Sequence, residues 1–565
     1  MTRSLALGVA GALLTGLVLW QLPGALSSSP PPSSGSRPAR SAVLPELPRV
    51  SLDTTYAPPT GPTITVPAGG DFQAALNAAP LNSVIVLQAG ATYSGNFTLP
   101  NKTGTGWIYI QSSALSSLPA PGTRISPAQA GLMPKIVSSN TNPALQTASA
   151  AHHYRLVGIE ITTTWTTRSA TLYALINLDS PGGSTSLSQV PSYIVIDRCY
   201  IHGTSTGNIR NGVVIDSAYT AVIDSFIAEI HEVNGESHGI RGKNGPGPFK
   251  IVNNTIEAAG INLMFTNHDA RVIQNLVPSD IEVRGNYLSK SLTWLPGTPA
   301  FAGIYWAVKN NLELKNAARV LIDGNLFENT WVGVFEPQDG FCIAFTVRAV
   351  HAPWSVVEDV TFTHNIVRQC SAGIQFLGRD YNNRGQGGEQ QRLLVQNNLF
   401  SDIGAYPMIH NAGQLFLVVD GGIDYIIDHN TAFHIEDPIY AQVHDPTAWP
   451  ARGLTFTNNI VVNNAGVCGD DTGCNAMLTL RTYFPNAVFE RNIIIGGTAR
   501  NYPPRNFFPA SLDAVGFVNR QQANYRLAAS SRYKRAGTAG SDPGVDFEAL
   551  RAALAAMARA SFPPK

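Results

Sequence analysis

Charge is scarce in this chain of 565 residues. It has 38 basic and 38 acidic side chains, 13 % in all, and no formal net charge. That balance argues against nucleic-acid binding through a bulk basic field. Cysteine is scarce as well, five in total. No second Cys pair has metal-ligand spacing and no HxxxH-type run occurs, so no metal site is expected. Lys and Glu are few, which counts against a helical fold. A long apolar run occurs at the N-terminus, where Arg3 precedes an uncharged stretch from Leu5 to Leu22. Residues 1–26 therefore read as a signal peptide cleaved after Ala25, or as a signal anchor. No Cys follows the run, which argues against a lipoprotein. Residues 27–62, beginning SSSPPPSSGSRP, read as a disordered Pro/Ser-rich tether. The expected location is secreted or periplasmic, with membrane contact only through the apolar segment. The expected state is a monomer.

Glycine is abundant, 51 residues, and Asn, Thr and Ser accompany it, which suits short strands joined by tight turns. A cassette recurs among them: an apolar residue, two further residues, Asn, then apolar alternation. It centres on Asn254, Asn286, Asn325, Asn365, Asn398, Asn430, Asn459 and Asn492, with looser copies at Cys199 and Phe226. Copies lie about 27 to 40 residues apart, a solenoid period, and strand alternation flanks each one. One β-solenoid coil per repeat follows, with the asparagines stacked inside one turn, where each amide bonds backbone and the next Asn. The fold class is all-β: a parallel β-helix over residues 63–510. A capping helix is expected from Phe72 to Ala79 after the N-cap Asp71, and a C-terminal cap over 511–565 with a closing helix from Phe547 to Arg559. Cys468 and Cys474 flank Gly-Asp-Asp-Thr-Gly and are the expected disulfide. Cys199 is a buried filler, and Cys342 and Cys370, in neighbouring coils, are left open as paired or free.

Several stretches carry a resemblance: RCYIHGTSTGN (198–208), TAVIDSFIAEIHEV (220–233), NLVPSDIEVRGNYLSK (275–290), WAVKNNLELKNAARVLIDGNLFENTW (306–331) and APWSVVEDVTFTHNIVR (352–368). They resemble a family of exported bacterial right-handed β-helix proteins in the pectate-lyase-like superfamily. The resemblance spans residues 65–545 and implies the fold and its right hand, but it carries no particular chemistry. Polygalacturonase-like enzymes resemble one another in an Asp-Asp strand, a Gly-His-Gly turn and an Arg-x-Lys strand. Here His238-Gly239-Ile240-Arg241-Gly242-Lys243 echoes only the last two, and loosely. Calcium-dependent pectate lyases need converging carboxylates. Asp420, Glu313 and Asp445 are scattered, so no cofactor is expected and calcium lacks support.

A Gly-led strand recurs in each coil (GIRGK at 239, GINLMF at 260, GFCIAF at 340, GIQFL at 373) and is expected to form one sheet beside a cleft. Alternation places Ile240, Leu312, Leu314, Ile343 and Phe345 inward. Arg241, Lys243, Lys309, Asn311, Glu313, Lys315 and Arg348 then face outward, joined in later coils by Gln375, Asp420, Gln442, His444, Arg481 and Tyr483. Such a cationic face on a neutral chain suits an acidic polysaccharide. The expected function is cleavage of that glycan, by a lyase ahead of a hydrolase, or else noncatalytic glycan binding. β-Elimination needs a base and a neutralised carboxylate, and Lys315 and Arg348 are the candidates. Hydrolysis needs two carboxylates, and Glu313 with Glu336 or Asp339 is the candidate set. Arg241, Lys243, Lys309, Trp306, Trp354 and His444 are the candidate substrate-binding residues. The competing reading is a solvated face of cross-strand ion pairs.

Overall fold

A computed structural model describes residues 42–267, 271–333, 340–383, 386–406 and 412–555. The apolar N-terminal segment, His268, Glu336 and Asp339 lie outside the described residues. The described chain winds as a right-handed parallel β-helix whose three parallel sheets hold 14, 13 and 12 strands. One coil runs through Ala218–Ile223, Phe226–Ile230 and His238–Gly242, and the next opens with Gly247–Val252. Here the sheets are called first, second and third in that order.

Register follows the apolar alternation. Val222, Ile251, Val283, Ile322, Phe362, Val395, Ile427 and Phe456 pair in succession along the first sheet. Each is buried in one continuous core. A slip of one residue would turn such a column to the outside, so burial fixes the register.

The turn from first to second sheet explains the cassette. The residue before each ladder Asn is left-handed, for example Asn253 at φ 58°, Gly285 at 62° and His364 at 53°. Gly and Asn adopt that region most readily, which accounts for the Asn-Asn and Gly-Asn pairs. Asn254 Nδ2 donates to Val222 O at 2.8 Å and to Asn286 Oδ1 at 3.0 Å, while its own N–H donates to the same Oδ1 at 2.9 Å. The pattern repeats to Asn492, which donates to Asn506 Oδ1, a further rung. At the other end the rung falls one residue earlier than the cassette predicts. Ser225, not Phe226, occupies the rung, and its Oγ accepts from Cys199 N–H.

A short helix, Phe72–Ala78, packs Phe72, Ala75 and Leu76 into the core, and Asp71 caps it by accepting from Ala74 N–H at 2.9 Å. Phe72 meets Phe97 of the outermost strand of the third sheet. At the opposite end the helix Ala476–Tyr483 packs Leu480 and Tyr483 against the core. Arg481 and Tyr483 are therefore helical, not outward strand residues, because Asn475 caps a helix there. Cys468 and Cys474 form the disulfide, and Cys199, Cys342 and Cys370 are free and buried.

Two boundaries differ from expectation. Part of the proposed tether, residues 42–62, lies against the first sheet. Glu46 N–H donates to Asp359, Arg49 N–H to Asp280, Lys250 to Leu52 O, and Arg155 to Thr54 O and Thr55 O. Asp, Arg and Lys side chains on that sheet give the Pro-rich segment backbone partners it lacks alone. The segment after 511 is also more than an end cap. Its helix, Phe547–Leu554, doubles back to pack Phe547 and Leu550 on Leu399, and Ala553 O crowds the turn at Gly324. No helix among the described residues is long and apolar enough to cross a membrane.

Candidate functional site

The outer side of the third sheet carries a polar trench. Strand Leu312–Leu314 buries both leucines in the core and sends Glu313 outward. Lys309, Glu313, Lys315 and Arg348 line one cavity of about 80 Å³ together with Thr346 and Gln375. A neighbouring cavity of about 320 Å³ is lined by Tyr173, Arg210, Asn211, Glu236, His238 and Arg241, among others. Glu236 joins the two: its Oε1 accepts from Lys309 Nζ at 2.6 Å, and its Oε2 lies 3.8 Å from His238 Nε2.

The charges are matched. Glu313 lies between Lys309 at 3.3 Å and Lys315 at 3.4 Å. Burial pushes its carboxyl up, but the two ammoniums outweigh burial and hold it below the usual carboxylate range. Glu236 is likewise held well down, because His238 and Lys309 outweigh its burial. Burial alone would pull Lys309 down, yet Glu313 and Glu236 raise it above an ordinary lysine. Arg348 is more open. Its side chain is 33 % exposed, and its ion pair with Asp380 is long at 3.4 Å.

The first sequence candidates are thus brought together, while others are not. Lys243 is buried beside Asp216 at 3.8 Å, whose Oδ1 also accepts Lys243 N–H. Asn311 points inward, where its Nδ2 donates to Leu288 O and Glu328 O. Trp306 is no sugar platform. It is buried in an apolar cluster with Trp294 and Trp331 and stacks on His231 at 3.7 Å. Trp354 is half-buried and its indole N–H donates to Leu276 O. His444 is 43 % exposed and outside the two cavities, paired with the buried Asp420 and stacked on Tyr381, which adjoins the Arg348 partner Asp380.

Sequence reading missed Asn211, His238 and Glu236, for a physical reason. Strict alternation from Ile240 sends His238 inward. At this corner, however, two successive residues face inside: a Cβ on Gly239 would meet Ile256 Cγ2 at 2.4 Å, and Ile240 is fully buried. The parity shifts, and the residue before the glycine turns into the trench. The signal was a polar residue followed by Gly and two apolar or outward positions, as in Asn211-Gly212 and His238-Gly239. Asn211 Nδ2 donates to Tyr173 O at 2.7 Å, so its Oδ1 accepts from His238 Nδ1 at 2.9 Å. Burial lowers the His238 pKa, and Glu236 beside Nε2 opposes that shift. Among the described residues, the group close enough to share a metal is Asp437 with Cys468 and Cys474, and those two sulfurs are joined in the disulfide.

No protein-family model matches the sequence, and no curated protein matches it. Solved structures are similar to it. Pectate lyase Pel9A is 13 % identical with a TM-score of 0.33, over 86 % of this chain and 96 % of that chain. A mannuronic acid specific polysaccharide family 6 lyase from human gut microbiota is 11 % identical with a TM-score of 0.39, over 88 % and 99 %. A pectin methylesterase from carrot is 12 % identical with a TM-score of 0.30, over 60 % and 91 %. At these identities the likeness is one of fold alone.

Proposed function

We propose that this protein is an exported polysaccharide-active enzyme that binds an acidic glycan along the trench and cleaves it by β-elimination. The observation that carries the reading is the convergence of Lys309, Lys315 and Arg348 on one cavity, with Arg210 and Arg241 in the next. Cations in adjoining cavities suit successive uronate carboxylates, and partial burial strengthens each contact relative to open water. Arg348, the most open cation of its cavity, clamps the carboxylate of the sugar to be cleaved. That withdraws charge and acidifies the proton on C5.

Lys315 is the base. Lys309 has two carboxylate partners and Lys315 shares one of them, so Lys315 is the less tightly held. In the reaction the Lys315 ammonium first gives a proton to solvent, the amine then takes the C5 proton, the C4–C5 double bond forms as the C4–oxygen bond breaks, and the leaving oxygen takes a proton from solvent. Ionised Glu313 and Glu236 favour this over hydrolysis, because a glycosidase needs one carboxyl protonated to serve as the acid. Glu313 instead positions Lys315.

The test is a panel of acidic polysaccharides with two readouts. Elimination leaves unsaturated ends that absorb in the ultraviolet, whereas hydrolysis leaves only new reducing ends. Arg348→Ala and Lys315→Gln should each remove the ultraviolet signal. Lys315 is buried in its ion pair, so Gln is chosen to keep its polar contacts, and folding is checked by circular dichroism. Binding without either product would favour a noncatalytic glycan-binding protein and overturn the enzyme reading.

A further inference from the structure

A second constellation lies away from the trench, where the C-terminal segment crosses the Asn turns. Ser541 Oγ lies 2.9 Å from His429 Nε2, and His429 Nδ1 lies 2.7 Å from Asp428 Oδ2. Asp428 is held in turn by Thr457 Oγ1 at 2.7 Å, Asn458 Nδ2 at 2.8 Å and Gln396 Nε2 at 2.9 Å. Burial pushes its carboxyl up, but His429 and these donors hold it below the usual range. An ionised carboxylate only accepts, so neutral His429 donates its Nδ1–H to Asp428 and turns the Nε2 lone pair to the Ser541 hydroxyl, whose proton Thr538 O at 2.8 Å also accepts in the resting site. A base within reach of a hydroxyl, itself oriented by a third group, is the arrangement that activates a serine nucleophile.

The backbone fixes this geometry. Ser541 follows Ala539 at φ 52° and Gly540 at 79°, two successive left-handed residues that make a sharp turn. Gly537 admits no side chain, because a Cβ there would meet Ser541 Oγ at 2.5 Å. A His–Asp pair also occurs at the equivalent turn residue His364, with Asp323, so the pair alone is a turn feature. The addition at His429 is the serine. His429 and Ser541 line a cavity of about 550 Å³, walled by Tyr525 and Phe547 and edged by Arg526 and Lys534. That is the size of a small-ligand site.

We propose that Asp428, His429 and Ser541 form a hydrolytic site for short-chain acyl esters of hydroxyl-rich molecules, independent of the trench. Ser541 Oγ attacks the acyl carbon while His429 Nε2 takes the hydroxyl proton. The bond from acyl carbon to alcohol oxygen breaks, and His429 returns the proton to the leaving alcohol. Water, deprotonated by His429, then cleaves the acyl-serine and releases the carboxylic acid. Arg526 and Lys534 edge the cavity as ion pairs with Glu548 and Asp542.

The experiment uses the purified full chain with p-nitrophenyl acetate and a fluorophosphonate probe. Two variants accompany it: Ser541→Ala and His429→Asn. Asn holds the equivalent left-handed turn position at Asn253, Asn397 and Asn458, so His429→Asn preserves the turn. The expected result is probe label on Ser541 and a loss of ester turnover of about 100-fold or more in both variants, at an unchanged thermal midpoint. An unlabelled, inert wild-type protein, or turnover that survives Ser541→Ala, overturns the proposal. The readout is acid release from an ester, not unsaturated sugar ends, so failure here and failure of the lyase reading are told apart.

Discussion

Replacing Asn365 by Ala probes the ladder at its centre. Asn365 Oδ1 accepts Asn325 N–H at 2.9 Å and Asn325 Nδ2 at 3.0 Å, while its Nδ2 donates to Ile322 O at 3.0 Å and Asn398 Oδ1 at 3.1 Å. The side chain is fully buried, so water does not take its place. Some neighbours keep a partner. Asn325 Nδ2 retains Val283 O, and Asn398 Oδ1 retains the N–H of residue 365. Asn325 N–H loses its acceptor outright, and Ile322 O loses one donor. With about 1–3 kcal/mol for an orphaned buried group and less for a carbonyl with a second lone pair, the expected loss is about 2–4 kcal/mol. Urea unfolding reads the global value, and amide exchange at Asn325 reads the local one, since coils of a solenoid open semi-independently. Asn506→Ala is the control. It removes the terminal rung, which is only half-buried, and should cost about 1 kcal/mol. A central variant no less stable than wild type, or no worse than Asn506→Ala, would refute the reasoning.

Gly239→Ala should destabilise by about 1–3 kcal/mol or more, because the new methyl would meet Ile256 Cγ2 and, at 2.6 Å, Asn262 O, neither of which can withdraw without moving the corner. Thermal unfolding checks this, and a neutral substitution would mean the corner is slack. Lys290 is fully enclosed with four oxygen neighbours, Ala258 O, Gly260 O, Asn310 O and Asn262 Oδ1. Burial pushes its pKa down to about 7 from an ordinary 10.5. The folded chain therefore holds this proton less tightly than the unfolded chain. Its contribution to stability is lowest below about pH 7 and rises towards the unfolded pKa, by up to about 1.4 kcal/mol per pH unit. Wild type measured against Lys290→Met at about pH 7 and about pH 9.5 should show that gain, and a difference that stays flat counts against it.

The trench residues differ in how far they could be read from the chain. Glu313, Lys315 and Arg348 were legible because Leu312, Leu314, Ile343 and Phe345 pin the parity beside them, and burying those charges unpaired would be prohibitive, whereas the same parity fails before the strand at Asn311. His238 and Asn211 were not, because parity holds only within a strand and breaks where Gly212 and Gly239 turn a corner. Trp306 misled for a related reason: a tryptophan in a loop beside a cleft reads alike whether it faces the cleft or the apolar cluster behind it.

The sequence by itself determined the coil and the Asn turn. A left-handed residue before Asn, repeated with apolar alternation, permits one arrangement in which every buried amide is satisfied, and these constraints are local. Contacts between segments far apart in the chain were decided only by the tertiary structure. Residues 42–62 lie on Asp359 and Asp280, more than 200 positions away, and Ser541 meets His429 across 112 positions. No periodicity encodes such meetings. They depend on which strand each coil presents at the surface, and on where a segment without strand pattern finds donors and acceptors for its own backbone.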